Sequence, residues 1–482
     1  MEIARKDVVV IGAGLSGLIC AHRLKQLGID VLLLENSERA GGVIRSEIIN
    51  GFMIERGPNS AQGSEELLAL VEELGITGEL IEGDPKAPAY VYFNERLHAV
   101  PMSPPAFLKS KLLGFGGKLR ILAEPFIAGR RAENEESVAS FVRRRIGGQA
   151  AERLVAPFVS GIYAGDAEQL SIQAAFPRLA NLESSYGGLF RGMIAKAREA
   201  KAAKKAAAHS SEESKPRRKR ICSFKKGMSF LTETLAAHIG EELIAGCGDL
   251  RTSDLKSEIS DFKFQLDDYR FAVKFTKAGN YEFTVCKDLI IATPAFIASK
   301  LVSPLSSELS RLLSEIEYPP LSIAHLAYDR TAVGHDMKGF GFLATPSANL
   351  KILGCVWNTS LFEDRAPSGK VMMTVFIGGA RHPELARLAD AELAAAAHSE
   401  LQRILNISGE PQVISITRYT RAIPQYNLGH AERVRTIEKL LSETTGLHLA
   451  GNYLRGVSTG DCIKEAGHLA KEIRETLHSA QE

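Results

Sequence analysis

The chain contains no run of about 18 apolar residues, so no part of it is long and apolar enough to cross a bilayer as a helix. Neither sign of charge dominates: 59 Lys and Arg stand against 57 Asp and Glu, a net +2, which argues against a strong field for nucleic acid over the whole chain. The six cysteines (Cys20, Cys222, Cys247, Cys286, Cys355 and Cys462) form no Cys-x-x-Cys pair. A thiolate metal cluster and a disulfide framework are therefore not expected, and the pattern suits a reducing interior. Tryptophan occurs once, at Trp357, and the twelve histidines form no persuasive cluster. Neither a metal site nor a Ser/His/Asp arrangement is expected, and His98 and His430 read as structural residues. No internal repeat is evident. The first strand follows Lys6 directly, so no signal or transit peptide is expected.

What is present begins at the N-terminus. Val8-Val-Val-Ile-Gly12-Ala13-Gly14-Leu15-Ser16-Gly17 predicts a strand, a glycine turn and a helix, followed by a second strand, Val31-Leu-Leu-Leu, capped by Glu35. A pyrophosphate needs backbone N–H groups and a helix N-terminus within hydrogen-bonding reach, with no Cβ in the way. Gly12 makes the turn, Gly14 permits the approach, and Gly17 lets the helix pack on the strand. Glu35 lies about 20 residues past the turn, where a carboxylate can accept from ribose hydroxyls and would repel a 2′-phosphate. A lone glycine triplet is weak evidence, but strand, helix and acid at these offsets point to a dinucleotide.

The following residues favour FAD over NAD. Gly41-Gly42 comes just after the acidic cap and lets the backbone close over an extended cofactor, while Arg39 or Arg45 can neutralise phosphate charge. Near the C-terminus, Leu447-His-Leu-Ala-Gly451-Asn452 through Gly456-Val457-Ser458 to Ile463 again predicts strand, glycine loop and helix, whose N-terminus can support the pyrimidine end of an isoalloxazine. Dinucleotide-domain pieces at both ends bracket a different middle, which implies a discontinuous architecture. The 482 residues suit about three domain-sized units.

Between these ends, Ser64–Leu80 has helical spacing, Tyr90–Pro101 predicts a hairpin turning at Asn94-Glu95, and Ala391–Leu405 predicts a long helix. Strands are expected at Phe271–Phe275, Tyr281–Thr293, Ser322–Tyr328 and Val371–Gly378. Pro101–Arg191 is mostly helical in pattern. Its Phe107, Leu108, Leu112, Leu113, Phe115, Leu119, Ile121 and Leu122 interleave with Lys109, Lys111, Lys118 and Arg120, which suits either a membrane interface or an ordinary solvated surface. Lys196–Arg220 is a basic run that cannot bury a core and is expected to be mobile, with solvent, anionic lipid or nucleic acid as its open partners.

Four further stretches narrow the class: Arg56-Gly57-Pro58-Asn59-Ser60; Pro157 to Asp166 followed by Leu170-Ser171; Gly339-Phe340-Gly341 with Leu353 to Trp357; and Ala422 to His430. In order and extent the chain resembles the FAD-dependent, oxygen-dependent protoporphyrinogen oxidase family, within the monoamine oxidase and phytoene desaturase superfamily. The resemblance implies an α/β fold: a discontinuous Rossmann-like FAD-binding domain, a mixed-sheet substrate domain and a mostly helical membrane-associating domain. The expected boundaries are 1–89, 223–300 and 431–482 for the FAD domain, 90–222 for the helical domain with its basic loop 196–220, and 301–430 for the substrate domain.

The resemblance further implies that FAD is held by Gly12, Ala13, Gly14, Leu15, Ser16, Gly17, Glu35, Asn36, Gly42, Arg45, Gly57, Pro58, Asn59, Ser60, Leu255, Tyr419, Asn452, Gly456, Val457 and Ser458. It places Gly161, Leu321, Met337, Phe340 and Trp357 around a porphyrinogen; without it, Leu321, Met337 and Trp357 would read as core. The implied reaction removes six electrons from protoporphyrinogen IX in three rounds, flavin N5 taking hydride and O2 restoring the flavin with release of H2O2. No side-chain acid or base is assigned. Coproporphyrinogen III oxidation, an amine oxidase, a carotenoid desaturase and a non-enzymatic flavin scaffold are the alternatives. The implied setting is cytoplasmic, peripheral on a membrane face, without nucleic acid and with a homodimer by analogy. One departure stands out: eukaryotic members carry an arginine, thought to meet a substrate propionate, where this chain has Ala89 after Pro88, so Lys86, Arg96 or another base must serve if that ion pair persists.

Overall fold

A computed structural model describes residues 4–129, 135–207, 220–255 and 268–479. The strand Ala4–Ile11 lies at the centre of a seven-stranded sheet, flanked in parallel by Val31–Leu34 and by the long strand Asn280–Ile291. Leu243–Ile244 extends one side in parallel. On the other, Asn280–Ile291 pairs antiparallel with Phe271–Lys277 in its first half and parallel with Leu447–Leu449 at its end. Val8, Val9 and Val10 are fully buried because helices cover both faces, which explains why this strand is a continuous apolar run without alternation. The helices Leu15–Gln26 and Thr459–Ser479 pack on one face; Ala295–Val302 and Ser307–Ser314 pack on the other.

The second seven-stranded sheet runs Gln412–Tyr419, Leu321–Asp329, Lys370–Gly378, Gly354–Trp357, Gly341–Ala344, Ala89–Phe93, Arg96–Ala99, with one parallel pair, Gly341–Ala344 against Ala89–Phe93. One face packs Met373, Val375 and Ile377 against Leu393, Ala397 and Leu401 of the helix Asp390–Leu405. Each such large apolar side chain contributes about 1.5–3 kcal/mol through burial. The predicted hairpin turn is present, with Asn94 and Glu95 both left-handed at φ 50° and 60°, the geometry that matches strand twist.

The hairpin belongs to this second sheet, so the helical region starts after Ala99 and not at residue 90. Two other expected boundaries also shift. Ile221–Phe224 is one strand of a small sheet with Ala61–Gln62 and Leu80–Glu82, so residue 222 lies inside an element. Leu309, Leu312 and Leu313 belong to the core of the first sheet, which places residues 301–316 with the dinucleotide side.

The helical region is built from short helices, among them Phe115–Leu122, Val138–Ile146, Ala156–Tyr163 and Pro177–Tyr186, and ends in the longer Leu189–Ala207. Residues 196–207 of the basic run are helical, as an alanine- and lysine-rich sequence favours; residues 208–219 lie outside the described residues. No described helix is long and apolar enough to cross a membrane.

Candidate functional site

The glycine turn after Ile11 is shaped by close backbone contacts. Gly12 has φ +104°, and its N–H donates to the Leu34 carbonyl at 2.7 Å. A Cβ at Gly17 would lie 1.8 Å from the Gly12 carbonyl oxygen, so only glycine lets the helix start this close to the strand. A Cβ on Gly14 would meet nothing within 4 Å. Gly14 is also the N-cap of the helix Leu15–Gln26, and no side chain caps it. The open side of the turn therefore presents first-turn N–H groups to an anion.

A second helix is aimed at the same place. The Cys20 thiol donates to the Ala466 carbonyl at 3.7 Å and Cys462 contacts Ser16, so Leu15–Gln26 and Thr459–Ser479 run parallel in register, with their N-termini side by side. Both positive dipole ends point toward the turn. Ser458 caps the second helix: its hydroxyl donates to Asp461 at 2.6 Å and accepts the Asp461 N–H at 3.1 Å. Gly456 is left-handed at φ +67°, where a Cβ would strike Asp461 at 2.4 Å. Val457 packs on the helical region's core, and the Asn452 carbonyl accepts from the Tyr426 hydroxyl.

Glu35 ends the second strand. Its carboxylate accepts the Ala13 N–H at 2.7 Å and the Ser37 N–H at 2.8 Å, holding the acid at the mouth of the turn. Asn36 beside it is exposed. The loop over the turn is fixed by Gly41, whose N–H donates to the Ala13 carbonyl at 2.7 Å; a Cβ on Gly42 would come within 3.2 Å of the Gly14 Cα. Arg39 donates to the carbonyls of Ala40, Gly42 and Ile44, so its guanidinium buckles the loop. Arg45 is half-exposed and pairs with Glu47, which also pairs with Arg56; the Arg56 hydrogen bond holds the Glu47 carboxyl below its usual range despite partial burial.

Residues 56–60 pass between the two sheets. A Cβ on Gly57 would lie 2.2 Å from the Val43 carbonyl. Pro58 and Ser60 flank Asn59, whose Oδ1 accepts from Asn358 Nδ2 at 2.8 Å and lies 3.2 Å from the Thr374 hydroxyl. The Tyr419 hydroxyl donates to the Arg56 carbonyl at 3.0 Å, and burial raises its pKa. The first-sheet loops and the second sheet thus meet through main-chain and amide contacts.

Leu255 lies apart from the glycine turn. Asp254 pairs with Phe271, Phe271 with Cys286 and Cys286 with Lys6, so Leu255 stands at the sheet's far edge, level with the start of the first strand and not its end. The main chain beside the acid is instead the turn after Ile244: the Glu35 N–H donates to the Ile244 carbonyl and the Cys247 N–H to the Glu35 carbonyl, both at 2.9 Å.

Strand alternation divides the expected pocket residues in two. Thr374 contacts Asn59, so its face looks toward the glycine turn, and cross-strand register puts His325, Val356, Gly341 and, by alternation, Leu343, Phe376 and Ile323 on that face. Leu321 lies there in a cluster with Ala164, Leu353, Phe376 and Ile423, and Gly161 packs on Leu343, where a Cβ would clash at 2.8 Å. Trp357 and Met337 belong to the opposite face. Trp357 is fully buried in the core under Asp390–Leu405, its ring 5.0 Å from His335 and 5.6 Å from Tyr90, and Met337 shares that core. Phe340, half-buried, lies at the strand's start, its N–H on the Pro88 carbonyl. Burial pushes His325 down to about 4, so its ring is neutral near pH 7.

The helical region presents an apolar surface to the outside. Met102 and Phe126 are each 87% exposed and Phe115 79%, with Leu108, Leu119 and Leu122 also exposed. Met193 and Ile194 extend it from the helix Leu189–Ala207, which packs against the turn Glu124–Phe126. Leu112 and Leu113, expected with this face, are buried instead.

The glycine cradle, its free N–H groups and the facing sheet define a dinucleotide-binding oxidoreductase, and the open space over Gly14 fits FAD. Residues 15–474 match the model of the flavin containing amine oxidoreductase family. The chain belongs to that family and is an FAD-dependent oxidoreductase. It is 31% identical to the chloroplastic protoporphyrinogen oxidase of Nicotiana tabacum, over 98% of this chain and 86% of that protein. It is 27% identical to the coproporphyrinogen III oxidase of Bacillus subtilis, over 96% of this chain and 97% of that one. In fold it is similar to the crystal structure of a candidate protoporphyrinogen oxidase from Exiguobacterium sp. 255-15, with a TM-score of 0.77 at 23% identity, covering 99% and 100% of the two chains.

Proposed function

We propose that the chain oxidises protoporphyrinogen IX to protoporphyrin IX, one porphyrinogen and three O2 giving one porphyrin and three H2O2. The observation that carries this reading is the end-to-end likeness to plant protoporphyrinogen oxidases. An apolar wall facing the glycine cradle supports it.

In this reading Gly12 to Gly17, Glu35, Asn36, Gly42, Gly57 to Ser60, Tyr419, Asn452 and Gly456 to Ser458 hold FAD. Bound FAD supplies a two-electron acceptor that O2 restores. The chain's own contribution is placement and exclusion of water: Leu321, Leu343, Phe376 and Gly161 give a flat, apolar seat that orients a macrocycle toward the cradle. Pyrrole N–H protons leave to water. Neutral His325 provides no charge on that face, and no side-chain acid or base is required.

The first sheet with its covering helices forms the FAD domain, and the second sheet with Asp390–Leu405 forms the substrate domain. The helical region rests on a membrane surface through its exposed apolar face, which makes the enzyme peripheral on the cytoplasmic side. Aerobic turnover of purified protein on protoporphyrinogen IX and coproporphyrinogen III side by side, followed by porphyrin fluorescence and H2O2, tests the reading. Faster protoporphyrin production is expected. Preference for coproporphyrinogen would move the enzyme to that substrate, and activity on neither would overturn porphyrinogen oxidation.

A further inference from the structure

The strand Lys370–Gly378 ends in two left-handed glycines, Gly378 at φ +108° and Gly379 at φ +74°. The chain then turns against the helical region, the Ala380 N–H donating to the Ala164 carbonyl at 2.7 Å. This delivers Arg381 into a cleft that it lines with Ser160, Lys351, Leu353 and His382. Arg381 is half-buried, yet among the described residues its guanidinium has neither a hydrogen bond nor an ion pair. Lys351 also has no side-chain partner there, and His382 meets only the exposed Glu384, at 3.4 Å. Arg39, Arg56, Arg144, Arg145, Arg403 and Arg418 all meet carbonyls, hydroxyls or carboxylates. A partly desolvated guanidinium left without a partner suits an anion that arrives from outside.

We propose that Arg381, flanked by Lys351 and His382, anchors the carboxylate edge of the porphyrinogen. The inference rests on the function proposed above. Leu353 belongs both to the cleft and to the apolar cluster with Leu321 and Phe376, so the cleft is continuous with the wall that seats the macrocycle. Protoporphyrinogen IX carries both propionates on one edge and its vinyl groups on the other, which matches a cationic cleft at one end of an apolar seat. The guanidinium fork can take a carboxylate in two parallel hydrogen bonds. Ala89 lies toward the other end of this sheet, beside Gly341, whereas Ala344 lines the cleft, about 10 Å along the strand. The anionic anchor has therefore moved to the opposite end of the pocket from the site where the resembled family has its arginine.

The test compares protoporphyrinogen IX with its uncharged dimethyl ester on FAD-loaded full-length protein, as wild type, Arg381→Gln, Arg381→Lys and Arg387→Gln. Arg381→Gln should raise KM for the diacid roughly 10- to 100-fold while leaving KM for the ester in place. Arg381→Lys should recover part of that loss, and Arg387→Gln, at an exposed position outside the cleft, should behave as wild type. A general structural defect would move diacid and ester together and would overturn the anchor. An unchanged diacid-to-ester KM ratio in both Arg381 variants, with the wild type active, overturns the anchor and leaves the oxidase reading standing. A wild type that turns over neither porphyrinogen overturns both. Should Arg381→Gln fail to fold, the same ratio in Arg381→Lys and Lys351→Gln decides.

Discussion

The glycine cradle and the helical region are built on opposite plans. The cradle is apolar beneath and exposes backbone N–H groups, with Val8 to Ile11 buried under a turn that side chains leave open. The helical region buries an ion pair beside its apolar core and leaves apolar side chains outside: Val138, Phe141, Val142 and Leu170 are buried, Arg145 and Glu124 are fully buried as an ion pair, and Met102 and Phe126 stand exposed. Arg145 also donates to the Ile127 carbonyl at 3.0 Å, and Arg144 links Glu136 to Glu183 at 2.7 Å each. Taking these ions out of water is costly, and the surrounding hydrogen bonds offset that cost. The exposed apolar surface is the part of this region that the proposed membrane contact would cover.

The contrast can be broken most severely at Gly17. Gly17→Ala forces a Cβ onto the Gly12 carbonyl and should cost about 4 kcal/mol or more, seen as a large fall in Tm and loss of flavin absorbance. Gly14→Val serves as the control: its Cβ meets no protein atom within 4 Å, so the fold should persist while FAD retention is lost. Full flavin content in Gly14→Val would remove the cradle assignment.

Next in size is the buried ion pair. Arg145→Met leaves Glu124 without its charge partner and should cost about 3–5 kcal/mol by calorimetry, part of it restored in the Arg145→Met/Glu124→Gln double variant, which keeps an acceptor for the Leu189 and Phe190 N–H groups. No restoration would mean that the pair, and not the burial, is what holds the region.

Two buried carboxylates sharpen the comparison. Burial would raise both; Glu124 is nonetheless lowered, by the Leu189 N–H, Arg145 and the Phe190 N–H, whereas Glu55 on the cradle side, held by Ser46 and the Met228 N–H, is pushed up to about 7. Between about pH 4.5 and 7 the folded state binds more protons at Glu55 than the unfolded chain does. Its contribution to stability is therefore fully present below about 4.5 and is lost as pH rises through 7. The Tm of Glu55→Gln minus that of wild type should grow from pH 5 to pH 8; a flat difference would mean an ordinary carboxylate.

The smallest stability effect belongs to the apolar skin. Phe126→Glu should change stability by about 0.5 kcal/mol or less yet weaken sedimentation with phospholipid vesicles. Unchanged partitioning would make the face an ordinary surface.

Local chemistry explains what the sequence revealed. The glycine turn, the acid at residue 35 and the Asn94-Glu95 hairpin were legible because each function lies within a few residues of backbone. Met337 and Trp357 were placed in the pocket by resemblance, but Met337 sits in the loop before Gly341–Ala344, and for Trp357 a strand's two faces differ by one position, so only the hydrogen bond of Thr374 with Asn59 reveals which parity looks inward. Leu255 depended on where an antiparallel excursion returns, which spacing does not determine. The strands Gly341–Ala344 and Gly354–Trp357 were missed because four residues are too few for alternation to emerge. Arg381 was invisible as a candidate: an arginine without a partner can be recognised only once all possible partners have positions.

The small knot of Asn59, Asn358 and Thr374 has a consequence for binding thermodynamics. It ties residues expected to touch FAD to the sheet proposed to seat the substrate, because Asn59 bonds Asn358 and Thr374 of that side. If both ligands contact this knot in the way proposed, any coupling between their affinities is reciprocal. Stripped of flavin, the protein should hold porphyrin less tightly, and porphyrin in turn should slow the loss of flavin.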